Sequence, residues 1–333
     1  MIHLSALELP NPNWQNELRD GFKHAEDLLN YLQIPKDHFS GNAEQLFATR
    51  VPRSFAQRMH KSDINDPLLK QVLAIDAETR LIPHFNNDPV GDLHALKQKG
   101  LIHKYHGRVL VIATGACAVN CRYCFRRNFP YSDNALSQVD INALLATLRS
   151  DTSISEVILS GGDPLLLNDK KIAQWVSDIE AISHIKRLRI HTRLPIVIPN
   201  RVTTGLCETL QATRLLCAIV LHANHSNELN HEVAAACNKL REHGITLLNQ
   251  TVLLKGINDN ANTMANLSEN LFNCGVLPYY IHALDKAAGT AHFDVSTSEA
   301  LEIHAHLKQT LPGYLVPKLV REEAGKNAKT WLE

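Results

Sequence analysis

No apolar run in this sequence is long enough to cross a bilayer. The longest, LLCAIVL at 215–221 and the proline-interrupted LPIVIP at 194–199, fall far short of the ~20 residues a membrane helix needs. The opening MIHLSALELPNPNWQ lacks a cationic segment followed by an apolar one, so no secretory signal is expected. Excess charge is also missing. The 34 Lys+Arg balance 34 Asp+Glu, which argues against a basic footprint for nucleic acid or an anionic membrane surface. Small molecules or proteins are left as partners. Low-complexity tracts and Gly/Ser linkers are absent, so the 333 residues suggest one large domain or one with a small appendage. At 44% hydrophobic and 20% charged, the chain has ample material for a core.

Cysteine is present, in odd number. Of the seven, Cys207, Cys217, Cys237 and Cys274 stand alone in apolar segments, as reduced core residues of a cytoplasmic protein do. The other three, Cys117, Cys121 and Cys124, crowd into GACAVNCRYCFRRNF at 115–129.

The first hundred residues look helical and irregular. Apolar residues fall at helical spacing over 14–34, and another helix is expected over 66–75. From Arg108 onward short strand-like runs recur: 108–114, 155–160, 187–192, 215–222, 246–254 and 277–284. Amphipathic helical stretches separate them. One spans 227–244 from an asparagine cap to a terminal glycine, and one spans 298–309 behind Ser296 in a Ser-x-x-Glu capping box. Strands buried on both faces and alternating with helices predict a parallel sheet. Six such units are too few for a closed eightfold barrel and predict a curved, partial (β/α)6 barrel. The expected divisions are a mostly helical region at 1–95, the barrel at 96–315 and a C-terminal segment at 316–333.

Polar residues collect where these strands end: the cysteine loop, Gly-Gly-Asp-Pro at 161–164, His191-Thr192-Arg193, His222 to His225, and Asp285. Ligands of parallel α/β folds bind at the carboxyl ends of strands, so one mouth lined from nearly every strand is expected.

Three clustered thiols admit more than one reading. A structural zinc takes four Cys or His ligands, usually as two pairs, and no second pair exists here. Coincidental buried thiols fit poorly in a loop rich in Arg and Asn. A four-iron cluster with three thiolates would leave one iron open to a non-protein ligand.

The Cys-x-x-x-Cys-x-x-Cys spacing, with Tyr123 before its last cysteine, resembles the motif of radical S-adenosylmethionine (SAM) enzymes. The resemblance implies a TIM-like partial barrel and a [4Fe-4S] cluster on Cys117, Cys121 and Cys124. It also implies SAM on the open iron, with Ser160, Gly161, Gly162 and Asp163 near the SAM amino group.

RVPRSFAQRMHKSDINDPLLKQVL (50–73), VILSGGDPL (157–165), LHANHSNE (221–228), PYYIHALD (278–285) and GYLVPKLVRE (313–322) extend the likeness. From about Arg50 to Lys329 the chain resembles the lysine 2,3-aminomutases, and most closely the subgroup whose (R)-β-lysine modifies elongation factor P. That implies a cytoplasmic isomerase converting L-lysine with a second cofactor, pyridoxal 5′-phosphate (PLP). An external electron donor such as flavodoxin or ferredoxin is implied, as is a functional link to elongation factor P and its lysyl-transferring enzyme. Supply of β-lysine for catabolism or osmotic protection is the alternative, and a non-catalytic metal-binding protein a more remote one.

Carried over residue by residue, Lys329, seven positions after Glu322, would anchor PLP. The usual glycines before that lysine are missing, which leaves Lys326 as a rival. Arg108 would lie near the PLP phosphate. His222 and Gln250 would lie near the SAM adenosyl group, and His191 and Arg193 would do likewise. Arg126 would pair with the substrate carboxylate, with Arg127 as a possible structural partner instead. Asp285 and Glu322 would hold the remote ammonium of lysine. Zinc-binding aminomutases carry a further cysteine-bearing extension; the end at Glu333 and Asn260 in place of one such cysteine imply no zinc here.

Overall fold

The computed structural model describes residues 13–333. The stretch 1–12, most of the segment taken to lack a signal, lies outside the described residues. Ten strands form one sheet in chain order: β1 (Leu96–Gln98), β2 (Leu101–Tyr105), β3 (Arg108–Thr114), β4 (Glu156–Gly161), β5 (Arg187–Thr192), β6 (Leu216–Leu221), β7 (Thr246–Val252), β8 (Leu277–His282), β9 (Lys318–Arg321) and β10 (Thr330–Trp331). Strands β3 to β9 run parallel. The edges are antiparallel, β1 and β2 before β3 and β10 after β9. Since β1 and β10 do not pair, the barrel is open.

The expected partial barrel is therefore the fold, and β3 to β8 are the six expected strands. The antiparallel flanks were not foreseen. Strands of three and two residues at the edges carry too little pattern to stand out.

Helices return the chain from each carboxyl end to the next amino end, and their starts follow capping chemistry. Ser137, Asn168, Thr203, Asn230, Asn260 and Ser296 each accept a backbone N–H of the first helical turn. The expected capping box is present, Ser296 and Glu299 bonding reciprocally at the start of Thr297–Thr310.

Two helical expectations fail in the N-terminal region. The segment 14–34 is two helices, Trp14–Arg19 and Ala25–Leu32. Between them Phe22 bridges to Val51, and a Cβ on Gly21 would come within 2.9 Å of the Val51 carbonyl oxygen. Over 66–75 only the 3-10 turn Leu69–Gln71 forms. There Asp66 accepts from the N–H groups of Leu68 and Leu69 at 2.8 and 2.9 Å, capping the start of that short turn.

One apolar cluster joins Phe55 and Leu68 of this region to Val109, Leu159 and Ile190 of the strands and to Leu144, Ile179 and Leu240 of the helices. The solitary cysteines Cys207, Cys237 and Cys274 are buried and free, and Cys217 is half-buried and free.

The cysteine loop after β3 is clasped by the N-terminal region. Arg122, fully buried, donates to both carboxylate oxygens of Glu78, at 2.9 Å from Nε and 2.6 Å from Nη2. Arg127 reaches the same Glu78 at 2.9 Å, so it is the structural partner that the sequence left open. Asn120 donates to the carbonyls of Arg50 and Ala48, and Arg50 donates back to that of Cys117. Removing the shared carboxylate strands two buried cations. Glu78→Ala should lower unfolding free energy by about 3–5 kcal/mol in urea titrations. A loss under 1 kcal/mol would mean that the clasp is dispensable.

Candidate active site

Period-two alternation decides which strand residues face the barrel interior. Along β5, Leu188 and Ile190 are buried toward the helices, while Arg189 and His191 line an internal cavity of about 750 Å³. Glu156 and Ser160 on β4, Gln250 on β7, and Tyr280 and His282 on β8 line it in the same way. A closed eightfold barrel fills this space with stacked side chains; seven parallel strands leave it hollow. The expectation of one mouth at the carboxyl ends thus covers only half the cavity. Arg108 pairs with Glu156 at the amino ends of β3 and β4, and both line it too.

All three clustered cysteines line the carboxyl end of the cavity as free thiols. Burial pushes the Cys117 thiol up and the Cys124 thiol up to about 11, so a metal binding here would displace protons. Among the described residues no three His, Cys, Asp or Glu side chains converge on one ion-sized point. Three thiolates fall one short of the four ligands of a structural zinc, whereas a four-iron cluster takes each thiolate on a different iron.

Arg193 stands behind Cys121, its Nη1 donating to the sulfur at 2.7 Å. Its Nη2 donates to Gln71 at 2.6 Å and to Glu228 at 2.9 Å.

The glycine pair at the end of β4 is dictated by close approach. A Cβ on Gly161 would lie 2.5 Å from the Thr114 carbonyl oxygen, and one on Gly162 would lie 2.2 Å from that of Ala116. These glycines let the cysteine loop lie against β4. Next to them, Asp163 spends its carboxylate on Thr192, on the N–H groups of Arg193 and Leu194 and on that of Leu165, tying β4 to β5.

Arg126 is held from behind. Its Nε donates to Asp92 at 2.6 Å, its Nη1 reaches Ser160 at 3.4 Å, and the Phe125 ring lies 4.9 Å from its guanidinium carbon. Lys104 grips the other Asp92 oxygen at 2.7 Å. Burial alone would raise the Asp92 pKa, but the two cations hold it down at about 2. Burial disfavours the Arg126 charge as well, and Asp92 overrides it.

At the far wall Lys329 lies just before β10, paired with Glu322 and facing the Tyr280 ring at 5.9 Å. Lys329 lines the cavity, whereas Lys326 lies exposed in the preceding turn and does not. Glu322 also accepts from Tyr105, and Lys104 lies 3.6 Å from it. Burial disfavours the Glu322 charge, but Lys329 holds its pKa below the usual range.

Asp285, after β8, is half-buried, with Oδ1 itself buried and unpartnered. Burial drives its pKa up to about 7, against the pull of Lys329 and with the push of Glu322. Arg108 stacks on Tyr105 at 4.6 Å. His222 contacts the Tyr123 hydroxyl at 3.1 Å, and burial pushes its pKa down to about 3.

Sequence reasoning missed Asp92, Lys104, Tyr105, Glu156, Arg189, Tyr280 and His282 in this cavity. The available signal was a polar residue at every second position of an otherwise apolar strand, as in Arg189 and His191 or Tyr280 and His282.

Buried polar atoms without partners are uncommon in folded proteins. Of the eight such side-chain atoms among the described residues, five, Arg189 Nε, His191 Nε2, Arg193 Nε, His282 Nε2 and Asp285 Oδ1, belong to residues that line this cavity. The cavity is thus chemically incomplete in the way a polar ligand would complete. It suits three separable groups: an iron–sulfur cluster at the thiols, an anion near Arg108 and Arg189, and a carbonyl compound at Lys329.

An open parallel barrel with three thiols on the loop after its first parallel strand defines a radical SAM enzyme, and residues 111–267 match the Radical SAM superfamily model. The L-lysine 2,3-aminomutase of Escherichia coli is 47% identical over 100% of this chain and 98% of its own. That of Clostridium subterminale is 32% identical over 96% of this chain and 77% of its own. A solved radical SAM methyltransferase from Sphaerobacter thermophilus superposes with a TM-score of 0.45 at 17% identity, covering 66% of this chain and 68% of its own. The chain belongs to the lysine 2,3-aminomutase family, isomerases of the radical SAM class.

A carboxyl whose pKa is raised on folding stabilises the fold below its unfolded value near 4, and that contribution is lost as pH rises toward its folded value of about 7. Asp285→Asn should therefore gain stability relative to the parent between pH 5 and pH 8 in urea titrations. A difference independent of pH would show that Asp285 titrates normally.

Proposed function

We propose that the chain converts L-α-lysine to (R)-β-lysine with PLP held beside SAM and a [4Fe-4S] cluster. The observation that carries this is the single cavity that brings Lys329, Glu322 and Asp285 together with Arg126 and the three cysteines. SAM and the cluster would supply a carbon-centred radical, and PLP the conjugated system through which nitrogen moves between neighbouring carbons.

The chain's own residues supply position. Arg126, with Asp92 holding its Nε side, presents its remaining guanidinium edge to a carboxylate, a planar anion that suits the fork. Asp285 and Glu322 offer two acidic groups to a remote ammonium and would disfavour an acidic side chain in its place. Such two-ended restraint fixes which carbon faces the radical source. Arg108 and Arg189 would take the PLP phosphate, and Arg189 has an unpaired Nε for that purpose. Ser160, Gly161, Gly162, His222 and Gln250 line the same cavity as the thiols, and SAM would lie against them. Asp163, its oxygens committed to the strand ends, would support that segment from behind.

Lys329 is the anchor we assign, because it faces the cavity and Lys326 does not. The segment 316–333 is then the piece that brings the anchor to the barrel. The product would serve β-lysylation of elongation factor P, a reading supported by the segments that resemble that subgroup. A single-electron protein donor such as flavodoxin or ferredoxin would drive the cluster.

Borohydride treatment of PLP-loaded protein should fix the cofactor on Lys329 in peptide mass spectra. Lys329→Ala should lose that label with iron content unchanged. Persistence in that variant with loss in Lys326→Ala would reverse the assignment. Anaerobic protein should carry iron near four per chain, and Cys121→Ala should lose both the iron and SAM cleavage. With SAM and dithionite the parent should turn L-lysine into (R)-β-lysine that a lysyl-transferring enzyme attaches to elongation factor P. Unchanged lysine in iron- and PLP-replete protein would refute the activity, and free β-lysine that is never attached would refute the link.

A further inference from the structure

The three cysteines do not share one environment. Cys121 sulfur takes a donor from a fully charged, deeply buried side chain, Arg193 Nη1 at 2.7 Å. The Arg193 guanidinium lies between the rings of Phe55 and Tyr123, its central carbon 5.2 and 5.7 Å from their centroids. Its other hydrogen-bonded nitrogen, Nη2, is shared by Gln71 and Glu228. Glu228 is itself immobilised: it accepts from the N–H groups of Asn224 and His225 at 2.8 and 3.1 Å and from Gln71 at 3.1 Å. The Arg193 backbone N–H is bonded to Asp163 at 2.8 Å. A side chain held at so many points cannot swing toward a ligand and back. The resemblance implies Arg193 beside the SAM adenosyl group; both of its terminal nitrogens are committed, one of them to a cysteine, and Nε is left unpaired.

We propose that Arg193 sets the reduction potential of the cluster through Cys121, and that Glu228 limits how much of its charge the cluster feels. This rests on the cluster reading of the three cysteines. One-electron reduction by an external donor places additional negative charge on the cluster and its sulfurs. A cationic N–H donor to one of those sulfurs binds the reduced form more strongly than the oxidised form. It therefore makes the potential less negative, as outer hydrogen bonds to cluster sulfurs do. Low dielectric around the pair strengthens the effect, and the opposite charge of Glu228 reduces it. Arg193 is a positioning residue in this scheme, acting on the iron through Cys121.

The test is an anaerobic redox titration of the holoenzyme followed by electron paramagnetic resonance, with iron measured in every sample. Removing Arg193 alone would leave Glu228 as a buried unpaired charge, so the double substitution Arg193→Gln with Glu228→Gln is the cleaner variant. Its midpoint should be more negative than that of the parent at equal iron content. Arg193→Lys, which keeps the charge but loses the fork, should fall between the two. Glu228→Gln alone should shift the midpoint in the opposite direction, because it unmasks the guanidinium. An unchanged midpoint in the iron-replete double variant overturns the proposal. So does loss of iron from both the double variant and Arg193→Lys, which would make Arg193 a residue of cluster assembly. Parent protein without iron would instead refute the cluster reading itself.

Discussion

The buried carboxylate of Glu78, shared by Arg122 and Arg127, is the constraint on which the rest of the site depends. The two arginines flank Cys124 and bracket the stretch that carries Phe125 and Arg126. Ala118 and Val119 dock the cysteine loop on the main apolar cluster and Tyr123 docks it on a smaller one. Charge then fixes its seat: two guanidinium groups share one carboxylate of the N-terminal region, the Phe47 carbonyl accepts from Arg122, and those of Arg50 and Ala48 accept from Asn120. Charges taken out of water persist only when paired and hydrogen-bonded, so the loop has one permitted seat. The thiols and Arg126 inherit their positions from that seat.

Charge also organises the opposite wall. Arg126, Asp92, Lys104, Glu322 and Lys329 form a run of alternating sign from the Arg126 end of the cysteine loop to the segment before β10. Each member is held by its neighbours. Asp285 stands outside the run with an unpaired oxygen, and burial lifts its pKa toward neutrality. An acidic group left in that condition inside a cavity accepts a cation with little rearrangement. A cationic substrate would thus complete an existing electrostatic pattern.

Much of the architecture was legible in the sequence because the parallel strands obey one simple rule. Runs such as VILSG and RLRIHT between capped helices leave little choice but a parallel sheet, and six of the seven parallel strands follow directly. The helices of the first hundred residues were legible only in part. Apolar spacing over 14–34 does not reveal that Gly21 and Phe22 turn the chain so that it can bridge to Val51. Cysteine spacing stood out because it carries unusual chemistry in a fixed pattern, whereas Lys329 was reached only through resemblance to the family. Asp92, Glu78 and Glu228 did not. Each is an ordinary acid in an unremarkable stretch, and its importance comes from arginines 30 to 50 positions away that only the fold brings near. Such long-range pairing leaves no local periodicity. Arg189 and His282 did leave one, alternation on an apolar strand.

The hollow of the barrel also has a fixed length. Its two ends are joined by β3, whose seven residues separate Arg108 from the start of the cysteine loop by roughly 20 Å at about 3.3 Å per residue. The strand works as a ruler. Reagents seated at the opposite ends are kept apart by a count of peptide units, and only a molecule extended along the axis can touch both. A two-residue deletion in β3 would preserve which side chains face inward, yet draw the ends together by about 7 Å. In this protein the spacing between chemistries is written in strand length as much as in side chains.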